Sequence, residues 1–189
     1  VAARVWLRDL ERPSIEEALA TATERYLAAY GPASIADIGK WLGRPRLPRN
    51  KAAVAALGDR IVTSTGHDGR ELVDLDGRPT PRGDRSAPPR FLSRWDSALI
   101  GYDVRDRLIA PEHRSAVMKA NADVLPTFLV DGFVAGTWSI ERDSDRAVLR
   151  LDPVRSIQPV DRRAVEREGD RLVRYHEADA DRYEVEWAD

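Results

Sequence analysis

Cysteine is missing altogether from these 189 residues, which excludes a disulfide framework, a thiolate zinc site and a cysteine nucleophile. A reducing compartment suits that absence, so the expected location is the cytoplasm. No apolar run approaches the roughly 20 residues that span a bilayer, and no charged-then-apolar segment opens the chain, so neither membrane insertion nor export is expected. Histidine occurs only as His67, His113 and His176, far apart and without ligand spacing, so each reads as a surface or core residue and no metal or other cofactor is implied. A glycine-rich phosphate loop is absent, and neither Ser34 nor Ser93 has the surroundings of a nucleophile elbow. Lysine is limited to Lys40, Lys51 and Lys119. Met118 is the single methionine and Val1 the first residue, so the sequence reads as a fragment of a longer one.

What remains is the composition of a globular protein: 42% hydrophobic and 33% charged residues, enough for one generous domain or two small ones. The formal charge of −2 argues against a protein that coats nucleic acid over its whole surface, but the charges are segregated. Residues 38–58 carry Lys40, Arg44, Arg46, Arg49 and Lys51 with no acid. Residues 78–94 hold five arginines against Asp84 alone, whereas residues 160–189 set six arginines against ten acids. Any contact with DNA is therefore expected in the first half.

Ser14-Ile15-Glu16-Glu17 is a capping box, and Ile15, Leu19, Ala22, Tyr26 and Tyr30 follow at helical spacing until Gly31-Pro32 ends the run. Ser34-Ile35-Ala36-Asp37 repeats the signature ahead of a short second helix that stops at Gly43. Pro48 opens a third, alanine-rich helix through Leu57. Two β-branched or apolar runs around Gly66-His67-Asp68-Gly69 then predict a hairpin. Three helices and a hairpin are the order of a winged helix-turn-helix, assigned to residues 1–77. Proline and glycine make residues 78–90 a linker. Asp131-Gly132 between apolar runs predicts a second hairpin, and with a further strand over 147–151 and strands from 91–102 it predicts a small antiparallel β-barrel over 91–157. Residues 158–189 complete the α+β chain with an amphipathic helix, Val165, Leu172 and His176 on one side, and a last strand over Tyr183-Glu184-Val185-Glu186-Trp187.

In a helix-turn-helix the start of the third helix enters the major groove. Arg46, Arg49, Asn50 and Lys51 occupy those positions, arginine suiting a guanine edge, asparagine an adenine edge and lysine a phosphate. Lys40 and Arg44 extend the cationic stretch, and His67 and Arg70 are the candidate contacts of the wing. Ala52, Ala53, Ala55 and Ala56 have no reach, so the expectation is close backbone approach, weak sequence readout and salt-sensitive affinity for duplex DNA. Asp103 and Asp106, near Glu112 and His113, form a conceivable acid–base group, but capping and pairing with arginine is the simpler reading.

Tyr30-Gly31-Pro32-Ala33-Ser34-Ile35-Ala36-Asp37, followed by Trp41-Leu42-Gly43, resembles the third helix-turn-helix unit of the AlkZ/YcaQ-like winged-helix proteins. Trp95-Asp96, Gly101-Tyr102, Asp106-Arg107, Pro111-Glu112-His113-Arg114, Val130-Asp131-Gly132 and Gly136-Thr137-Trp138 resemble that family's C-terminal β-barrel segment, in order. The resemblance covers most of residues 14–157 and implies the C-terminal portion of a DNA-repair protein. Several members are DNA glycosylases that excise alkylated bases and unhook interstrand crosslinks, using a Gln-x-Gln or Gln-x-Asp motif. The one glutamine here is Gln158, followed by Pro159 and Val160, so no catalytic residue carries over.

Three functions follow as expectations. The first is a DNA-holding portion of a repair-type protein. The second is a DNA glycosylase for alkylated or crosslinked bases whose catalytic residues lie upstream of this chain, and the third a ligand-sensing transcription regulator. Oligomeric state is not encoded in any pattern found.

Overall fold

The computed structural model describes residues 12–43, 48–79, 83 and 86–188. The chain divides into two units, Val1–Thr80 with Gly101–Asp103, and Pro81–Ile100 with Val104–Asp189.

In the first unit, helix α1 (Ile15–Tyr30) starts where Ser14 Oγ accepts the Glu17 amide at 3.2 Å and Glu17 returns the bond to the Ser14 amide at 2.8 Å. Two backbone donors that helix geometry leaves unpaired are thereby satisfied. The Ser14 N–H, with its hydroxyl, holds the exposed Glu17 carboxyl below the usual carboxylate range. Thr23, Tyr26 and Leu27 form the buried stripe of α1, and the helix stops at Gly31, whose N–H donates to Leu27 O at 2.9 Å. A Cβ at Gly31 would strike the Asp74 carboxylate and the Leu27 carbonyl, so a larger residue would force the turn to shift. Helix α2 (Ile35–Trp41) follows a second capping box, closed by Ser34 and Asp37. Helix α3 (Arg49–Ala55) buries Asn50, Ala53 and Val54. Strands β1 (Ile61–Thr65) and β2 (Glu71–Leu75) pair antiparallel from Ile61 opposite Leu75 to Thr65 opposite Glu71. Val73 exchanges two backbone bonds with Ala33, at 2.8 and 2.9 Å, which ties the hairpin to the α1–α2 connection. Tyr26, Leu27, Ala33, Ile38, Val54, Leu57 and Val73 make one apolar core.

The second unit is built on a five-stranded sheet in the order β3 (Arg90–Leu92), β4 (Thr127–Val130), β5 (Phe133–Asp143), β6 (Arg146–Pro153), β7 (Arg182–Trp187). Asp131 and Gly132 both take positive φ, 51° and 79°, so β4 and β5 close through the two-residue turn that such a dipeptide favours. Between β3 and β4 lie the short helices α4 (Ser97–Ile100) and α5 (Arg114–Val117). Helix α6 (Pro159–His176) carries the chain from β6 to β7, and these two strands pair in parallel. A parallel connection of this kind lays its helix on the sheet face. Val165, Gly169 and Val173 of α6 join a core with Phe128, Val130, Leu149 and Leu151.

Three expectations are corrected here. The sheet is open, not a barrel: no pairing of β7 with β3 is found among the described residues, because β7 returns beside β6 and α6 covers a face that a barrel would close on itself. Of residues 91–102, expected to supply barrel strands, only Phe91 and Leu92 lie in a strand, and Asp96, accepting the Ala98 amide at 2.9 Å, starts α4 instead. His176 is exposed, and Val173 takes the inward position expected of it. Among the described residues no helix is long and apolar enough to cross a membrane.

Candidate nucleic-acid interface

The inner stripe of α3 runs through Asn50, Ala53 and Val54 and continues past its end to Leu57, at spacings of three and four. Helix periodicity therefore turns the flanking Arg49 and Lys51 outward, together with Ala52, Ala55 and Ala56, all exposed. Lys40 is exposed in the last turn of α2, where a cation complements the helix dipole. Among the described residues no carboxylate pairs with Lys40, Arg49 or Lys51. Two other cations of this unit are engaged, Arg60 with Glu24 at 2.5 Å and Arg78, whose Nη1 donates to Leu27 O at 3.0 Å. Arg49 also borders a shallow depression of about 230 Å³ with Glu16, Leu19, Ala52, Ala53 and Ala56.

Asn50 is 1% exposed, which corrects the expectation that it reads a base edge. Its place on the inward stripe outweighs its polarity. His67 is exposed at the β1–β2 turn. Arg70 is half-buried and turned back on the hairpin, its Nε bonding Asp68 at 2.5 Å. The Arg70 backbone N–H and then its guanidinium hold the Asp68 carboxyl below the ordinary aspartate range. That pairing offsets charge that would otherwise attract a phosphate. Arg44 and Arg46 lie outside the described residues.

Signs of chemistry elsewhere are few. Among the described residues no three metal-ligating side chains gather. Of the conceivable acid–base group, Asp106 pairs with Arg114 at 2.5 Å, and the backbone N–H of Asp103 donates to Asp37 at 2.7 Å. Gln158 is exposed just before α6, without capping it.

Known proteins place this architecture. The chain aligns with the interstrand DNA cross-link repair glycosylase of Streptomyces sahachiroi, 34% identical over 134 residues, which are 68% of this chain and 36% of that protein. The solved structure of the DNA glycosylase AlkZ from Streptomyces sahachiroi superposes with a TM-score of 0.74 at 28% identity, covering 94% of this chain and 47% of that one. The chain thus spans between a third and a half of the relatives it matches. The family model described as DNA glycosylase AlkZ-like matches residues 1–175. The chain belongs to the AlkZ-like DNA glycosylase family.

Proposed function

We propose that this chain is a duplex-DNA-engaging portion of an AlkZ-like DNA glycosylase, with its first unit acting as a winged helix-turn-helix that grips the sugar–phosphate backbone. The observation that carries this reading is the outward set of Lys40, Arg49 and Lys51, three cations without acid partners among the described residues, beside small alanine side chains. Such a surface lets a backbone approach closely and rewards it with counterion release, without long side chains to interrogate base edges. With Asn50 buried and Arg70 held by Asp68, sequence readout is weaker still. His67 is left as the wing's exposed candidate contact.

The reaction proposed for the whole protein is release of alkylated or crosslinked bases, with its catalytic residues in the part of the relatives' length that this chain does not span. Base release from alkylated duplex by the intact protein tests both halves of the reading. Release is expected, and Arg49→Ala with Lys51→Ala should raise the DNA concentration for half-maximal rate by about tenfold while leaving the saturated rate nearly unchanged, since the lost contacts serve phosphates. An intact protein that frees no base abandons the glycosylase reading. An unaltered half-saturation in the double variant abandons the contact assigned to α3.

A further inference from the structure

In the second unit, several of the described arginines are tied to acids. Arg114 bonds Asp106, Arg142 bonds Glu177 and Asp179, Arg146 bonds Glu184 and Glu186, and Arg182 bonds Asp145. Arg155 and Arg162 depart from that pattern. Both line a pocket of about 370 Å³ between the end of β6 and the start of α6, together with Ser156, Ile157 and Trp187, and among the described residues no acid lines it.

Each guanidinium is held by a neutral group. Arg155 donates from Nε to Val134 O at 3.3 Å and from Nη2 to Val130 O at 3.2 Å, which fixes it against the ends of the β4–β5 hairpin. Arg162 lies over the Trp187 ring, 4.3 Å from its centroid. The ring is itself anchored, its indole N–H donating to Glu166 at 2.8 Å, and Glu166 does not line the pocket. Carbonyls and a π face orient a guanidinium while leaving its full charge for another partner. Two guanidiniums without a carboxylate partner among the described residues line this pocket beside Ser156, and the N–H donors they have left suit a tetrahedral oxyanion.

We propose that this pocket is a phosphate-binding site, filled by a phosphodiester of a nucleic-acid strand or by a free phosphate. It lies in the second unit, so it stands or falls independently of the contact assigned to α3.

The indole N–H resonance of Trp187 in the whole chain, identified by its loss in Trp187→Phe, reports on the pocket directly. Inorganic phosphate at constant ionic strength should shift it saturably, and Arg162→Gln should weaken that binding roughly tenfold, as expected for loss of a charged hydrogen-bonding partner. Arg162 is exposed, so the variant should melt with the parent. Arg155→Lys, which keeps the charge and removes the fork, should also weaken binding. A matching shift with a short blunt duplex lacking terminal phosphates assigns the site to phosphodiesters. A shift with inorganic phosphate alone assigns it to a free phosphate. Absence of a saturable shift with either, or an undiminished one in Arg162→Gln, overturns the proposal.

Discussion

Asp37→Ala should lower the stability of the first unit by about 3 kcal/mol, because it strips the acceptor from three donors at once. Asp37 is fully buried; its Oδ2 accepts the Ser34 amide at 2.8 Å and the Ser34 hydroxyl at 2.7 Å, and its Oδ1 accepts the Asp103 amide at 2.7 Å. One side chain thus starts α2 and fastens residues 101–103 to the same unit. Neighbouring bonds reinforce the fastening: Tyr26 Oη donates to Gly101 O at 2.8 Å, and Tyr102 Oη to Tyr30 O at 2.9 Å. Asp37→Asn should rescue little, since its amide NH2 confronts a donor whichever way it is turned. Calorimetry reads the effect as a fall in melting temperature of about 10 °C or more. Melting of the Asn variant alongside the parent would show that the carboxylate is not the organising acceptor.

Gly136→Ala should cost the second unit about 3 kcal/mol, the upper range of overpacking penalties. Gly136 sits on β5 opposite Phe128 on one side and Pro153 on the other. A Cβ there would run into the Phe128 ring and the Asp152 carbonyl. Phe128 cannot move aside cheaply: it is fully buried, edge-on to Trp187 at 5.8 Å between ring centroids and 6.0 Å from Phe91. The pairing register also shifts beside this point, between Phe128 and Leu129, so backbone and ring meet at the one position where β5 bulges. Phe128→Leu in the Gly136→Ala background should recover part of the loss, although Phe128→Leu alone is destabilising. Strictly additive losses in that cycle would contradict the clash.

Local chemistry made the short-range features legible. The two Ser-initiated caps and the Asp131-Gly132 turn depend on residues within a few positions of each other, and each forms as its residues dictate. Longer-range choices were not readable in the same way. Nothing in Arg182–Trp187 says whether it returns parallel or antiparallel, and the parallel crossover through α6 is what opens the sheet. Side-chain availability was legible in part. Asn50 shares the i, i+3, i+4 stripe of Ala53 and Val54, a pattern that its polarity masked, and Asp68 stands two residues before Arg70 in a tight turn that invites their pairing. Arg155 and Arg162 carry no local signal, since their acid-free setting emerges only when β6, α6 and β7 come together.

The chain belongs to the AlkZ-like DNA glycosylase family, and the DNA contact proposed for it rests on Lys40, Arg49 and Lys51. Titrating the chain with two duplexes of unrelated sequence across a salt series tests that most directly. Three phosphate contacts at about −0.9 each predict a slope of log affinity against log salt of roughly −2.7 or steeper, with both duplexes bound alike. No binding at low salt, or a near-flat slope with strong preference for one duplex, would contradict the account.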